Sequence, residues 1–185
     1  MTTSVEIRRI RAAEWPQLRQ LRLEALKDTP TAFLEAYETA VRRNDDFWIG
    51  RAAQGAGDPA LATFVAVAGD RFVGMTVAVL EADDDRVANL VGVYVSPPWR
   101  GRERGVVSAL FDAAIGWVRA QGGDRRVQLY VTESNERAAA FYRRYGFVPT
   151  GATVPYPPDP SLREIHMELP GALLAAGQDE GQSRP

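Results

Sequence analysis

Apolar and polar positions alternate from Val5 to Ile10, the two-residue period of a strand with one buried face. The period then lengthens. Trp15, Leu18, Leu21, Leu23 and Leu26 recur at helical spacing, Pro16 suits a first turn, and Asp28-Thr29-Pro30 closes the segment. A second helical region is expected from Thr31 to Ala53, broken near Asn44-Asp45-Asp46, with a loop from Gly55 to Pro59. Two apolar runs, Thr63–Ala68 and Arg71–Leu80, flank Gly69-Asp70, a two-residue turn that favours a hairpin. Asp83-Asp84-Asp85 turns the chain into a third run, Ala88–Val95. Val106–Ala120 returns to helical spacing, with Val106, Leu110, Ala113, Ala114 and Trp117 on one face, and Gly122-Gly123 stops it. A strand at Val127–Val131, a short helix at Glu136–Tyr145 ended by Gly146, and closing strands at Phe147–Val154 and Glu164–Leu169 follow. Pro155 to Pro160 carries four prolines in six positions and is expected to be a rigid loop. Residues 170–185 are expected to fray as a flexible tail.

The order β-α-α-β-β-β-α-β-α-β-β mixes antiparallel hairpins with one strand–helix–strand crossover. It predicts an α/β (α+β) domain over residues 1–169, with one mixed sheet covered by helices. The 185 residues, 45% hydrophobic and 25% charged, suit a single domain with a sizeable core. No apolar run approaches the length of a spanning helix and no secretion signal opens the chain, so a cytoplasmic protein without a membrane partner is expected. The net charge of −2 is dispersed, which argues against a nucleic-acid surface. The absence of cysteine removes thiol nucleophiles and thiolate metal sites, and a lone His166 gives no histidine-based metal site.

The chemistry concentrates at the junction Val-Ser-Pro-Pro-Trp-Arg-Gly-Arg-Glu-Arg-Gly, residues 95–105, where a strand meets a helix. A helix start exposes amides without partners and roughly half a positive charge. Gly101 and Gly105 clear space for a ligand, while Arg100, Arg102 and Arg104 add guanidinium forks. Together these could hold a phosphate or pyrophosphate; a solvated basic turn beside a helix cap explains the same residues. The stretch is neither a Walker-type loop nor Gly-x-Gly-x-x-Gly. Gly92, inside an apolar strand, marks either a bulge that frees backbone groups or a packing glycine. Further on, Asn135 or Ser134 can cap the 136–145 helix, whose Ala138, Phe141, Tyr142 and Tyr145 share a face.

The ordered pair of segments resembles the GNAT superfamily of N-acetyltransferases. Arg102-Glu103-Arg104-Gly105-Val106-Val107 is similar to that family's Arg/Gln-x-x-Gly-x-Gly/Ala. Asn135-Glu136-Arg137-Ala138-Ala139-Ala140-Phe141-Tyr142, with Gly146-Phe147 after it, is similar to its Asn-x-x-Ala-x-x-x-Tyr followed by Gly-Phe. The likeness is strong from Val87 to Gly151 and extends by element order over residues 5–169. Two positions depart from it. Val107 stands where Gly or Ala is usual, and the loop from Pro97 to Gly105 is longer by about two residues, as though Glu103-Arg104 were added. The first phosphate contact could therefore fall to Arg100 or to Arg102.

The resemblance implies a GNAT-like, largely antiparallel sheet of about seven strands with about four helices. It implies acetyl-CoA as cosubstrate, with its diphosphate at Arg100, Gly101, Arg102, Arg104, Gly105, Val106, Val107 and Ser108. The pantetheine arm would run beside Val93, Tyr94 and Val95, with Asn135 on its other side. A backbone amide near Val95 would stabilise the oxyanion, and Tyr142 would protonate the departing thiolate. The acceptor is expected to be an amine, which must lose a proton before it attacks. Glu35, Glu38, Glu81, Asp84 and His166 are the candidate bases. Phe33, Tyr37, Phe47, Trp48 and Tyr156 are the candidate walls of the acceptor pocket, with core packing the alternative for Phe47 and Trp48. A non-catalytic CoA-binding or regulatory module and a plain interaction domain are the competing readings. Family habit makes a homodimer a further expectation.

Overall fold

The computed structural model describes residues 4–84, 86–122 and 124–171. The 172–185 part of the expected tail lies outside the described residues. Seven strands form one sheet in the order β1-β2-β3-β4-β5-β7-β6. They are β1 (Glu6–Arg9), β2 (Leu61–Ala68), β3 (Arg71–Leu80), β4 (Val87–Val95), β5 (Arg126–Thr132), β6 (Val148–Tyr156) and β7 (Asp159–Leu169). Only β4 and β5 run parallel; every other neighbouring pair is antiparallel. The helices are α1 (Trp15–Asp28), α2 (Tyr37–Ala40), α3 (Asp45–Gly57), α4 (Val106–Ala120) and α5 (Glu136–Tyr145). The predicted mixed, largely antiparallel sheet is what forms, with five α-helices among the described residues where about four were expected.

Two apolar layers flank the sheet. On one face Leu110, Phe111, Ala114 and Val118 of α4 pack with Tyr142 of α5 onto Leu90, Leu129 and Met167. On the other, Leu18, Leu21 and Leu26 of α1 and Ala52 of α3 pack onto Val65, Val67 and Met75. Strand β2, between β1 and β3, is buried along nearly its whole length, because both faces are covered. At Gly55 an added Cβ would sit 2.7 Å from Thr63 Cβ, so the missing side chain is what lets α3 press against β2. Arg9 holds the C-terminal end of that helix: its Nε donates to Gly55 O and its Nη2 to Asp58 O, each at 2.8 Å.

Three boundaries differ from the expectation. Residues 31–36 are not an α-helix; a 3-10 turn at Pro30–Ala32 leads into a bent stretch over residues 33–35, and α-helix resumes only at Tyr37. Pro30 allows a first turn, but Tyr156 and Thr132 fasten this segment elsewhere: Tyr156 Oη donates to Phe33 O at 2.6 Å and Thr132 Oγ1 to Thr31 O at 2.9 Å. Helix α3 runs through Gly55 to Gly57, into the predicted loop, because Arg9 caps it there. The Pro155–Pro160 segment is a hairpin, not a rigid loop: β6 reaches Tyr156 and β7 starts at Asp159, leaving Pro157-Pro158 as the turn. This is the outermost ladder of the sheet, where a proline without an amide donor is tolerated.

Candidate active site

The parallel pair is short. Val87, Ala88 and Asn89 pair with Arg126, Val127 and Gln128, and beyond these residues β4 and β5 part. The fork is tied at its vertex by side chains. Gln128 Nε2 donates to Asn89 Oδ1 at 2.9 Å, and Asn89 Nδ2 donates to Glu81, so the buried amide of Asn89 is satisfied on both sides. Past the vertex lies a cleft of about 1480 Å³ lined by both strands, α4, α5, α3 and the segment after α1.

Gly92 sets the shape of the β4 wall. It adopts φ +63°, and the register against β3 slips between Met75 and Val77, which is a bulge. After the bulge Ser96 N donates to Val73 O at 2.9 Å, so its amide faces β3. Alternation then turns the backbone groups of Val95 and Val93 the other way, towards the space β5 has left. Arg100 Nε donates to Val95 O at 2.7 Å, in keeping with that direction. The Val95 carbonyl is thus engaged, while its N–H faces the cleft.

Gly105 is the N-cap of α4 at φ +62°, and Gly101 sits at φ +118°. An added Cβ at either would meet nothing within 4 Å, so the space in front of them is open and the glycines serve backbone conformation. The three loop arginines have different surroundings. Arg100 is committed to Val95 O, pairs with Asp28 at the end of α1 and lies 5.4 Å from the Tyr94 ring centre. Arg104 lies over Trp99 at 5.3 Å. Arg102 is exposed and borders the cleft without a hydrogen bond or ion pair to any described residue. Arg104 and Val106 do not line the cleft; Val106 is buried under α4. Val93, Tyr94, Val95, Gly101, Gly105, Val107 and Ser108 do line it, as do Arg100 and Arg102.

The α5 wall is fixed by an aromatic cluster. Phe111 of α4 stacks on Tyr142 (5.8 Å, 11° between planes) and meets Phe141, Tyr145 and Phe147 edge-on. Each such pair is worth about 0.5–1.5 kcal/mol beyond its buried area, so α5 is held to α4 by packing along its length. Tyr142 is buried, and burial raises its pKa well above the usual phenol range. Its hydroxyl bonds to no described residue, whereas that of Tyr145 donates to Asp112 at 2.6 Å. Asn135 Oδ1 accepts from Ala138 N at 3.2 Å, an N-cap, and the residue also lines the cleft, so cap and wall coincide.

The five proposed bases are all elsewhere. Glu81 is at the fork vertex, and Asp84 Oδ1 accepts from Arg86 N at 2.9 Å within a turn. Glu38 is exposed on α2, and Glu35 lies between Arg22 and Arg43. His166 is bridged between Gln128 and Thr150 at 3.0 and 2.9 Å. None of them lines the cleft. Of the predicted pocket walls, Phe33 and Phe47 line it; Tyr37, Trp48 and Tyr156 do not, and Trp48 is wholly buried in the core. Two carboxylates do line it: Asp46, exposed at the start of α3, and Glu164 of β7, opposite Thr132 in register, with burial lifting the pKa of Glu164 above the usual carboxylate range. The signal for Glu164 was the alternation Glu164, Ile165, His166, Met167, Glu168, Leu169, in which every second residue faces away from the core.

Residues 13–147 match the acetyltransferase (GNAT) family, and the chain belongs to it. Its class is thereby that of the GNAT acetyltransferases. A mycothiol acetyltransferase of Beutenbergia cavernae is 38% identical over 77 residues, which is 42% of this chain and 25% of that protein, so the match spans a quarter of its length. Among solved structures, a GNAT-family acetyltransferase from Streptococcus pneumoniae superposes with TM-score 0.72 at 18% identity, covering 89% of this chain and 98% of the other. The PaiA N-acetyltransferase of Thermoplasma acidophilum, solved with coenzyme A, gives 0.71 at 20% identity over 89% and 98%. At these identities the structural likeness establishes the fold.

Proposed function

We propose that this protein transfers the acetyl group of acetyl-CoA to an amine in a ternary complex, with the thioester in the fork between β4 and β5. The single observation that carries the reading is that fork: outward-facing backbone of Val93 and Val95 on one wall, a Tyr142 hydroxyl bonded to no described residue on the other, and the start of α4, which no side chain caps, at its mouth. The start of α4, with Gly105 and Arg102, suits the diphosphate. Arg100, already bonded to Val95 O, serves as a positioning residue that fixes the peptide, and the Val95 N–H meets the thioester oxygen.

The residues suit a balanced proton path. An alkyl ammonium has a pKa near 10 in water, so it must first lose a proton, and Glu164 takes it, directly or through water. The neutral nitrogen attacks the carbonyl carbon and a C–N bond forms. The C–S bond then breaks, and the thiolate takes the Tyr142 proton. The proton shed by the new amide nitrogen restores the tyrosine, and Glu164 releases the proton it took to water. Burial of Glu164 makes it a stronger base than a solvated carboxylate, which favours this assignment over the exposed acids.

The test is thiol release from acetyl-CoA across a panel of amines, run beside calorimetry with acetyl-CoA. Saturable binding and amine-dependent thiol release are expected. Binding without release for any amine would leave a CoA-binding module, and no binding would remove both readings.

A further inference from the structure

The acceptor end of the cleft holds two cations for which acetyl transfer has no use. Arg22 of α1 is only 7% exposed, yet it lines the cleft. Its guanidinium carbon lies 4.4 Å from the Phe33 ring centre, its Nη2 is 3.8 Å from a Glu35 oxygen, beyond hydrogen-bond reach, and its Nε is buried without a partner. Burial first, and the charge of Arg51 second, push its pKa down to about 10 against the pull of Glu35. Arg51 of α3 is half-buried on the same wall and makes no hydrogen bond or ion pair with any described residue. Its pKa is lowered too, mainly by burial.

Neutralisation is incomplete. Glu35 is also shared with Arg43 at 3.5 Å, so one carboxylate pairs with two guanidiniums while its charge also acts on Arg51. Two other acids border the cleft. Asp46 is solvated at the start of α3, and Glu164 has its pKa raised, the opposite of what a close arginine would do. Desolvated guanidiniums without a carboxylate of their own are unfavourable until an anion arrives, and their planar forks match a carboxylate. Room for one is present: at Gly50, beside Arg51 on the cleft wall, an added Cβ would meet nothing within 4 Å.

We propose that the acceptor is an amine that also carries a carboxylate, the class of an amino acid, with the carboxylate held by Arg22 and Arg51. This deepens the acetyltransferase reading and rests on it. The carboxylate anchors the substrate and keeps its charge throughout; only the amine exchanges protons.

The test compares amino acids with their own primary amides, using thiol release and calorimetry on the CoA-loaded protein. The amide's amine is the less basic, hence more often neutral, so a preference for the acid cannot come from amine reactivity. The expected result is kcat/KM about 10- to 100-fold higher for the acids, the range for one charge-assisted contact. Arg51→Gln, at a position without a hydrogen bond to any described residue, is expected to erase that preference through a raised KM for the acids. Equal use of acids and amides by the wild type, or an unaltered KM for acids in Arg51→Gln, would overturn the proposal while acetyl transfer stands. If no amine releases thiol, binding decides: amino acids binding in preference to their amides, with the preference lost in Arg51→Gln, supports the carboxylate site although the transferase reading has failed. Equal or absent binding overturns it.

Discussion

Two side chains, Tyr142 and Glu164, carry the proposed chemistry, and they differ in how they could be found. Tyr142→Phe keeps the stack on Phe111 and removes only a hydroxyl that bonds to no described residue. Turnover is expected to fall about 10²- to 10⁴-fold, the usual worth of a positioned acid, with acetyl-CoA affinity by calorimetry unchanged; equal turnover would end its role. For Glu164 the sign follows from its state. As a base it must be ionised, so kcat/KM is expected to rise with pH through a pKa raised above the ordinary carboxylate range. Glu164→Gln should lower the rate and abolish that acid limb; a variant that keeps the limb would assign the base elsewhere. Tyr142 was legible in the sequence because it ends a spaced motif. Glu164 was legible only as a polar position in a strand, since its partial burial comes with the strands on either side of it, where Thr132 and Val154 lie opposite it in register.

Elements position these residues through backbone, and glycines do so most directly. Gly105 begins α4 at φ +62°, a conformation costly for any residue with a Cβ. Because the space there is open, Gly105→Ala is expected to strain the chain and not to clash, costing roughly 1–2 kcal/mol by urea denaturation. Acetyl-CoA affinity should fall as well, since the α4 amides would be re-aimed. No change in either would mean that the cap needs no left-handed residue. Gly92 and Gly105 were both readable as special, and α4 and α5 run over the residues the periodicity gave them. The segment after α1 was not. Its helical composition gave way to a 3-10 turn and a bent stretch because Tyr156 and Thr132 hold its carbonyls. Likewise four prolines suggested a loop, but the edge of a sheet has no need of their amides.

At the scale of the whole molecule, the cleft joins both faces of the sheet at the one place where it splits, so a ligand there bridges elements that otherwise meet only at the vertex. Acetyl-CoA at about 100 times its Kd is expected to stabilise the fold by about 2.7 kcal/mol, read as an upward shift of the melting temperature. Arg102→Ala should leave the melting temperature of the unliganded protein in place and shrink that shift, because Arg102 has no hydrogen bond or ion pair to a described residue to lose. An undiminished shift would remove Arg102 from the diphosphate site. By itself the sequence determined the order of strands and helices, the glycine-marked junction and the tyrosine motif, since periodicity and backbone chirality act between near neighbours. Only the tertiary structure decided which arginine is occupied, which carboxylate is dry and where two under-neutralised cations face open space. Burial and pairing depend on residues brought together from distant parts of the chain, and no local pattern records them.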